Sequence, residues 1–290
     1  MWDSYIVATS VRDALEKLAS LDNSARIIAG GTDLVLQAQR GKCLARAMVD
    51  VSRIPGLKTI QEQDGYITLG ATVTHAQVTQ SPLIRRKALV LAQACASVGG
   101  PQIRNVATLV GNVVNALPAA DGAVALFALN AEVQVTTLEN QEWLPIADLY
   151  EGVGECTLDP CVQMVTALRF RPLVRSMGSD FQRLARRRAL VLPIVNVAAA
   201  VNIREGCFVD ARIAVGPVAP TPFRATAAEH ALIGQQVTLG VIEQAAALAA
   251  QDAQPRSSAL RGSKDYRTAM VQVLVRRAVC NAAGLDTPSP

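Results

Sequence analysis

The chain has 290 residues, more than one hydrophobic core usually supports, so its length favours two domains. Half of the residues are hydrophobic, only 4% are aromatic, and the formal net charge is +4, which leaves few base-stacking side chains and no strong basic surface for nucleic acid. The six cysteines form no Cys-x-x-Cys pair and there are two histidines, so no metal-ligand spacing is present and we expect free thiols in a reducing cytoplasm.

The amino terminus predicts no targeting segment. The stretch MWDSYIVATS has neither a basic region nor a long apolar core. The longest apolar run, VLPIVNVAAAV, contains Pro193 and Asn196 and is shorter than the roughly 18 residues that a membrane span needs. We therefore expect a cytoplasmic protein without a membrane span.

Periodicity and turn residues predict a small α/β unit at the start of the chain. A helix capped by Ser10 and ended by Asp22 and Asn23 is followed by a strand, a helix and a strand over residues 26–29, 34–40 and 47–50. A second unit follows, with strands over residues 66–74, 132–137 and 162–170 and helices over residues 75–80, 87–96 and 121–129. Helices layered on a sheet in this way predict an α+β fold.

The character of the chain changes at a short polar segment, residues 172–180. Beyond it come a run rich in valine and alanine over residues 190–203 and a strand pattern over residues 208–218. Three helices are predicted after this, over residues 225–232, 239–250 and 264–283. A sheet followed by helices predicts a separate α+β domain.

Two stretches of small residues offer backbone N–H groups rather than catalytic side chains. The first contains Gly30 and Gly31 and leads into a helix after Asp33; the second is PQIRNVATLVGNVVNALPAAD, residues 101–121. A diphosphate requires several donors in one concavity, and glycine permits both the close approach and the unusual φ. Each stretch alone is equally typical of an ordinary strand-to-helix turn. Together they predict a cradle for one diphosphate.

The second stretch, together with IIAGGTDLVL, VGPVAPTPFRA and RGSKDYRTAMVQVLVRRA, resembles the FAD-binding medium subunits of the molybdenum hydroxylases. This is the family of xanthine dehydrogenase and carbon monoxide dehydrogenase, and the resemblance covers nearly the whole chain. It implies a two-subdomain FAD-binding domain of the vanillyl-alcohol-oxidase, or PCMH, type over residues 1–175, divided near residue 50. A smaller α+β C-terminal domain is implied over residues 176–290.

The resemblance also implies which residues contact FAD, and it carries over neither a catalytic residue nor a metal ligand. In the family the glycine-containing turns bind the diphosphate and the ribityl chain, and Asp121 falls on the carboxylate directed to the adenosine part. The implied positions are Ile27, Ile28, Ala29, Gly30, Gly31, Thr32, Asp33, Leu34, Val98, Thr108, Leu109, Val110, Gly111, Asn112, Asp121, Val165 and Gln182.

Two positions depart from the family pattern. Val110 stands where glycine is usual, and Leu117 stands where a small polar residue is usual. A β-branched side chain disfavours positive φ, so the turn at Val110 must adopt an ordinary conformation or the flavin must sit differently. The cysteine-rich insertion of the family branch with an additional iron–sulfur cluster is not present.

Several polar residues have an alternative interpretation. Asp33 and Asp121 could each cap the helix that follows. His75 is more typical of a capping or surface histidine than of a base. The run RLARRR, which begins at Arg183, predicts a solvated face, a docking surface for an acidic partner, or a site that attracts NADH.

The leading hypothesis is an FAD-binding electron-transfer subunit of a heterotrimer. The resemblance implies a small partner with [2Fe-2S] clusters, a large partner with the molybdenum cofactor, and NAD+ or another electron acceptor. The chain alone would then be inactive on the organic substrate. The alternatives are a stand-alone flavin oxidoreductase and a flavin-free assembly protein of the same fold, which the valine at position 110 motivates.

Overall fold

The computed structural model describes residues 2–21, 23–187 and 189–285. The first unit contains, in chain order, β1 (Ser4–Val7), α1 (Val11–Ser20), β2 (Ala25–Ile28), α2 (Leu34–Gln39) and β3 (Ala47–Asp50). These three strands form a parallel sheet with β3 in the centre. As predicted, Ser10 caps α1, because its side chain accepts from the Asp13 N–H at 3.0 Å. The helix ends at Ser20, and the predicted end residue Asp22 lies outside the described residues.

The second unit is built on a five-stranded antiparallel sheet in the order β4-β5-β10-β6-β7. Its strands are β4 (Ile60–Gln63), β5 (Tyr66–Gly70), β6 (Glu132–Thr136), β7 (Gln141–Pro145) and β10 (Met164–Phe170), with a two-stranded ribbon of β8 (Tyr150–Gly152) and β9 (Glu155–Cys156). Its helices are α3 (His75–Gln80), α4 (Pro82–Lys87), α5 (Leu89–Ser97), α6 (Pro101–Val106), α7 (Leu109–Val114) and α8 (Asp121–Ala128). A short 3₁₀ helix covers Ile146–Leu149.

The third unit is a four-stranded antiparallel sheet with three helices. Its elements are β11 (Met177–Leu184), β12 (Val195–Arg204), β13 (Cys207–Gly216), β14 (Phe223–Arg224), α9 (Thr226–Leu232), α10 (Leu239–Asp252) and α11 (Lys264–Ala283). Both faces of β12 are buried. Val195, Val197 and Val201 pack in one core with α10 and α11, whereas Ala198 points into the core of the second unit. This double burial explains why the strand is an almost unbroken apolar run.

The α+β prediction is confirmed, but several element boundaries were wrong. The segment 172–180, in which the sequence showed only a polar stretch between two domains, includes the start of β11, and β4 and β7 were not predicted at all. The predicted helix 87–96 starts at Leu89, because Ala88 has φ −158° and ψ 55° and separates it from α4. The predicted strand 66–74 ends at Gly70.

The stretch 101–121, predicted to be a backbone turn, instead contains two short helices. Pro101 occupies the first turn of α6, where its missing N–H has no cost. Thr108 caps α7, and its Oγ1 accepts from the Gly111 N–H at 3.0 Å. Among the helices described here, none is both long and apolar enough to cross a bilayer.

Candidate functional site

A cavity of about 1020 Å³ lies where the three units meet. This volume is at the upper end of the range for small-molecule sites and suits a ligand as large as a dinucleotide. Its wall combines the β2–α2 loop, the start of α7, the region from β9 to β10, and residues 191–193 beyond β11. The cavity therefore combines segments that are far apart in the sequence, from Arg26 to Pro193.

The two glycine-containing segments contact each other through backbone atoms, and both contribute to the cavity wall. A Cβ atom at Gly30 would come within 2.2 Å of the Val106 carbonyl oxygen, so only glycine fits. Gly31 next to it has φ 67°, in the left-handed region that favours glycine. The predicted convergence of the two segments is therefore present in the fold.

The same wall carries unused backbone donors. The N–H groups of Thr32, Asp33 and Leu34 donate to no backbone carbonyl within the described chain, and the same is true of Val110. All four residues line the cavity. Several free N–H groups on one wall are the kind of donor set that an oxygen-rich anion such as a diphosphate requires.

Most of the predicted contact residues lie on the cavity wall. These are Ile27, Ile28, Ala29, Gly30, Gly31, Thr32, Asp33, Leu34, Val98, Thr108, Val110, Gly111, Asn112, Asp121 and Val165. The structure does not bring the other two there. Leu109 is buried in the core beneath α7, because the turn of the helix points it away from the wall. Gln182 lies on β11 and donates to Asp180 Oδ2 at 2.6 Å.

Val110 fits the site without strain. It lies within α7, where an ordinary helical φ suits a β-branched residue, and its side chain is buried. Its backbone N–H donates to no backbone carbonyl of the described chain, and replacing glycine by valine does not remove this donor. The family departure at this position is therefore compatible with the cavity, and the first of the two predicted solutions is the one observed.

Asp121 is the centre of a buried network that joins the second and third units. Its Oδ2 accepts from Ser97 Oγ and from Arg183 Nε, both at 3.0 Å, and its Oδ1 accepts from Asn196 Nδ2 at 2.6 Å. Burial raises the pKa of the Asp121 carboxyl above its ordinary value, and the charge of Arg183 and the hydrogen bond from Asn196 offset only part of this rise. Arg183 also donates to the carbonyl oxygen of Val191, which fixes residues 191–193 beside the cavity.

Arg183 and His75 are wall residues whose roles were mispredicted. Arg183 is not on a solvated face: its side chain is 11% exposed. The one sequence signal is the spacing of Arg183 from Phe181, which places both on one face if the segment is a strand, and Phe181 is in the core. His75 is 1% exposed rather than at the surface, and its spacing from the buried Val78 indicates this apolar helix face.

His75 is held neutral by its surroundings. Burial, with a smaller contribution from the positive charge of Arg104, lowers the pKa of His75 to about 4. Its backbone N–H donates to the Ala107 carbonyl, and the Leu109 N–H donates to the Val73 carbonyl. The start of α3 thus holds the start of α7 in place.

The carboxylate Asp33 has a different environment. It occupies the position before α2, but its side chain makes no capping hydrogen bond, so the capping interpretation was wrong. Burial raises the pKa of Asp33. Within the described residues, no group of three or more His, Cys, Asp and Glu side chains could hold a metal ion.

Comparison with known proteins gives the same class of protein as the cavity. Residues 2–170 match the family described as the FAD binding domain in molybdopterin dehydrogenase, and residues 181–282 match the CO dehydrogenase flavoprotein C-terminal domain. The chain therefore belongs to the FAD-binding medium subunits of the molybdenum hydroxylase family, as the sequence resemblance predicted.

Individual relatives cover almost the whole chain. The xanthine dehydrogenase FAD-binding subunit of Escherichia coli O157:H7 is 31% identical over 282 residues, 96% of this chain and 95% of its own. The 6-hydroxypseudooxynicotine dehydrogenase complex subunit alpha of Paenarthrobacter nicotinovorans is 32% identical over 286 residues, covering 98% and 96%. The structure of carbon monoxide dehydrogenase from Hydrogenophaga pseudoflava matches with a TM-score of 0.93 at 27% identity, covering 98% of both chains.

The contact between Gly30 and Val106 predicts that Gly30→Ala weakens FAD binding by about tenfold or more. The new Cβ must push the two segments apart, and overpacking of this kind typically costs about 1–3 kcal/mol. Fluorescence titration with FAD measures the effect. Gly240→Ala is the matched control, because nothing lies within 4 Å of its Cβ. Wild-type affinity in Gly30→Ala would contradict the prediction.

Loss of the Asp121 carboxylate should destabilise the whole chain. Asp121→Ala leaves the nearly buried Arg183 without its partner, which typically costs about 3–5 kcal/mol. Urea unfolding followed by circular dichroism gives this difference. The control is Glu16→Ala, which breaks an exposed pair with Arg12 at 2.8 Å and should change stability by less than about 1 kcal/mol. Equal effects of the two variants would refute the assigned role.

The buried His75 predicts acid sensitivity. The pKa of His75 in the folded chain, about 4, lies below the ordinary 6.5. Between these two pH values the imidazole is therefore protonated in the unfolded chain and neutral in the folded chain. This stability is complete above pH 6.5 and is lost as the pH falls towards 4, with about 2 kcal/mol gone by about pH 5. His75→Leu should flatten the unfolding free energy over this interval, whereas replacing the exposed His230 by Gln should not. An unchanged pH profile in His75→Leu would show that the imidazole is not held neutral.

Proposed function

We propose that this chain holds FAD in the central cavity and passes electrons from the [2Fe-2S] clusters of a small partner subunit to NAD+ or another acceptor. A large partner with the molybdenum cofactor would oxidise the organic substrate. The observation that carries the proposal is the backbone contact between Gly30 and Val106, because it brings two donor-rich segments to one dinucleotide-sized cavity.

The residues on the cavity wall have separate tasks. The free N–H groups of Thr32, Asp33 and Leu34 would bind the diphosphate, whose oxygens need several donors. The network of Asp121 and Arg183 would close the wall formed by the third unit and exclude water. Bound FAD would supply the redox chemistry, because a flavin can take up electrons singly from an iron–sulfur cluster and release them as a pair to NAD+. The protein groups bind, orient and shield it.

We also propose the division into an FAD-binding domain over residues 1–175 and a C-terminal domain over residues 176–290. The ranges of the two family matches, 2–170 and 181–282, support it. The domains share a buried interface in which α8 packs on β12 and β13, and both contribute to the cavity. The cofactor site thus depends on both domains.

Support for partner subunits comes from the relatives. Among them are a nicotine 6-hydroxylase medium subunit and carbon monoxide dehydrogenase medium chains, names that belong to multi-subunit enzymes. A stand-alone flavin oxidoreductase is the alternative within the same fold. The hypothesis of a flavin-free assembly protein was based on Val110, and the fold accommodates this residue in α7, so that reason for it no longer applies.

Reconstitution tests the proposed electron transfer. The full chain should take up FAD and become yellow, and it should not oxidise an N-heterocycle or aldehyde by itself. Addition of the chemically reduced small [2Fe-2S] partner should bleach the visible flavin absorbance, followed by stopped-flow spectroscopy. The wild-type chain before FAD is added is the control, because it has no flavin absorbance to bleach. A yellow chain that the reduced partner does not bleach would contradict the proposal and favour the stand-alone enzyme.

A further inference from the structure

Two buried polar atoms without a hydrogen-bond partner in the described chain belong to His75 and Asn112, which both line the cavity. Asn112 Oδ1 and His75 Nδ1 are shielded from solvent and make no hydrogen bond to any described residue. A buried polar atom without a partner destabilises a fold and is uncommon, so each of these two calls for an explanation. Both side chains lie near Gly122, where a Cβ atom would come within 2.7 Å of Leu109 Cδ1, 2.8 Å of Asn112 Oδ1 and 3.5 Å of His75 Cε1. The absence of a side chain at Gly122 therefore leaves room for both Asn112 and His75.

One hydrogen bond would satisfy both atoms. A neutral imidazole carries one N–H and one lone pair, so an Nδ1–H would donate to Asn112 Oδ1 once the two side chains turn towards each other. The tautomer and the amide orientation then fix each other. The remaining polar atoms are His75 Nε2, now an acceptor, and Asn112 Nδ2, a donor, and both residues line the cavity.

We propose that His75 is a cofactor-positioning residue, which orients the Asn112 amide so that the two side chains bind a neighbouring donor and acceptor on the flavin half of FAD. The inference rests on the proposed function, because it takes FAD as the ligand. FAD offers this chemistry at two places. The ribityl chain carries hydroxyl groups, and the pyrimidine edge of the ring carries an N–H beside a carbonyl oxygen.

A double-mutant cycle on the full chain tests the pairing. His75→Leu and Asn112→Leu should each weaken FAD binding about tenfold, the value of one lost hydrogen-bonding unit. The double variant should lose little more than either single one, because the residues act together. The absorption and circular dichroism spectra of bound flavin identify the contact. A shifted visible band assigns the pyrimidine edge, and an unchanged band with weaker binding assigns the ribityl hydroxyls.

Two further variants separate positioning from folding. Gly122→Ala should displace Asn112 Oδ1 and weaken FAD binding although it leaves His75 in place. Val78→Ala removes a fully buried contact of α3 and should lower the melting temperature of the FAD-free chain without changing FAD affinity. This pair of variants also decides the question if His75→Leu does not fold.

The proposal is overturned if His75→Leu binds FAD within about twofold of the wild type, or if the two single effects multiply to about a hundredfold in the double variant. It is also overturned if Gly122→Ala binds FAD normally. Failure of the wild-type chain to bind FAD would instead refute the proposed function.

Discussion

The close approach of Gly30 to the Val106 carbonyl is the constraint on which the cavity depends. The two segments belong to different units, one following a parallel sheet and the other linking two short helices. Because they touch through backbone atoms, their separation is fixed by the absence of a single Cβ atom rather than by flexible side chains. A site built in this way is tolerant of side-chain changes that leave the backbone in place, and Val110 is such a change.

The third unit completes the cavity through a buried charge pair rather than through an apolar contact alone. Replacing a buried ion pair by apolar residues is often neutral or stabilising, so Asp121 and Arg183 are weak evidence for stability as such. Their geometry instead specifies how β11 and β12 lie against α8, because Asn196 and Ser97 occupy the remaining positions around the carboxylate. The pair therefore fixes the relative position of the two domains at the wall of the cavity.

The sequence was sufficient for the features that depend on local chemistry. Ser10, the apolar face of α1 and the left-handed turn at Gly31 follow from rules that act over a few residues. Strand β11 was not predicted because its partner β12 lies several residues further along the chain and its own pattern is polar. For the same reason the long-range pairing of Arg183 with Asp121 could not be predicted. Two side chains 62 residues apart meet only once the sheets have packed.

The charges around the cavity explain why backbone donors are needed. Three basic side chains line it, and four acidic ones oppose them: Arg26, Lys42 and Arg183 against Asp33, Asp121, Glu151 and Glu155. With Arg183 already paired to Asp121, the wall offers no surplus of positive charge to hold an anionic diphosphate. The neutral N–H groups beside Gly31 can do so without a lysine or arginine clamp. In the proposed arrangement the flavin half would be held by individual hydrogen bonds, and the pair of His75 and Asn112 would provide them.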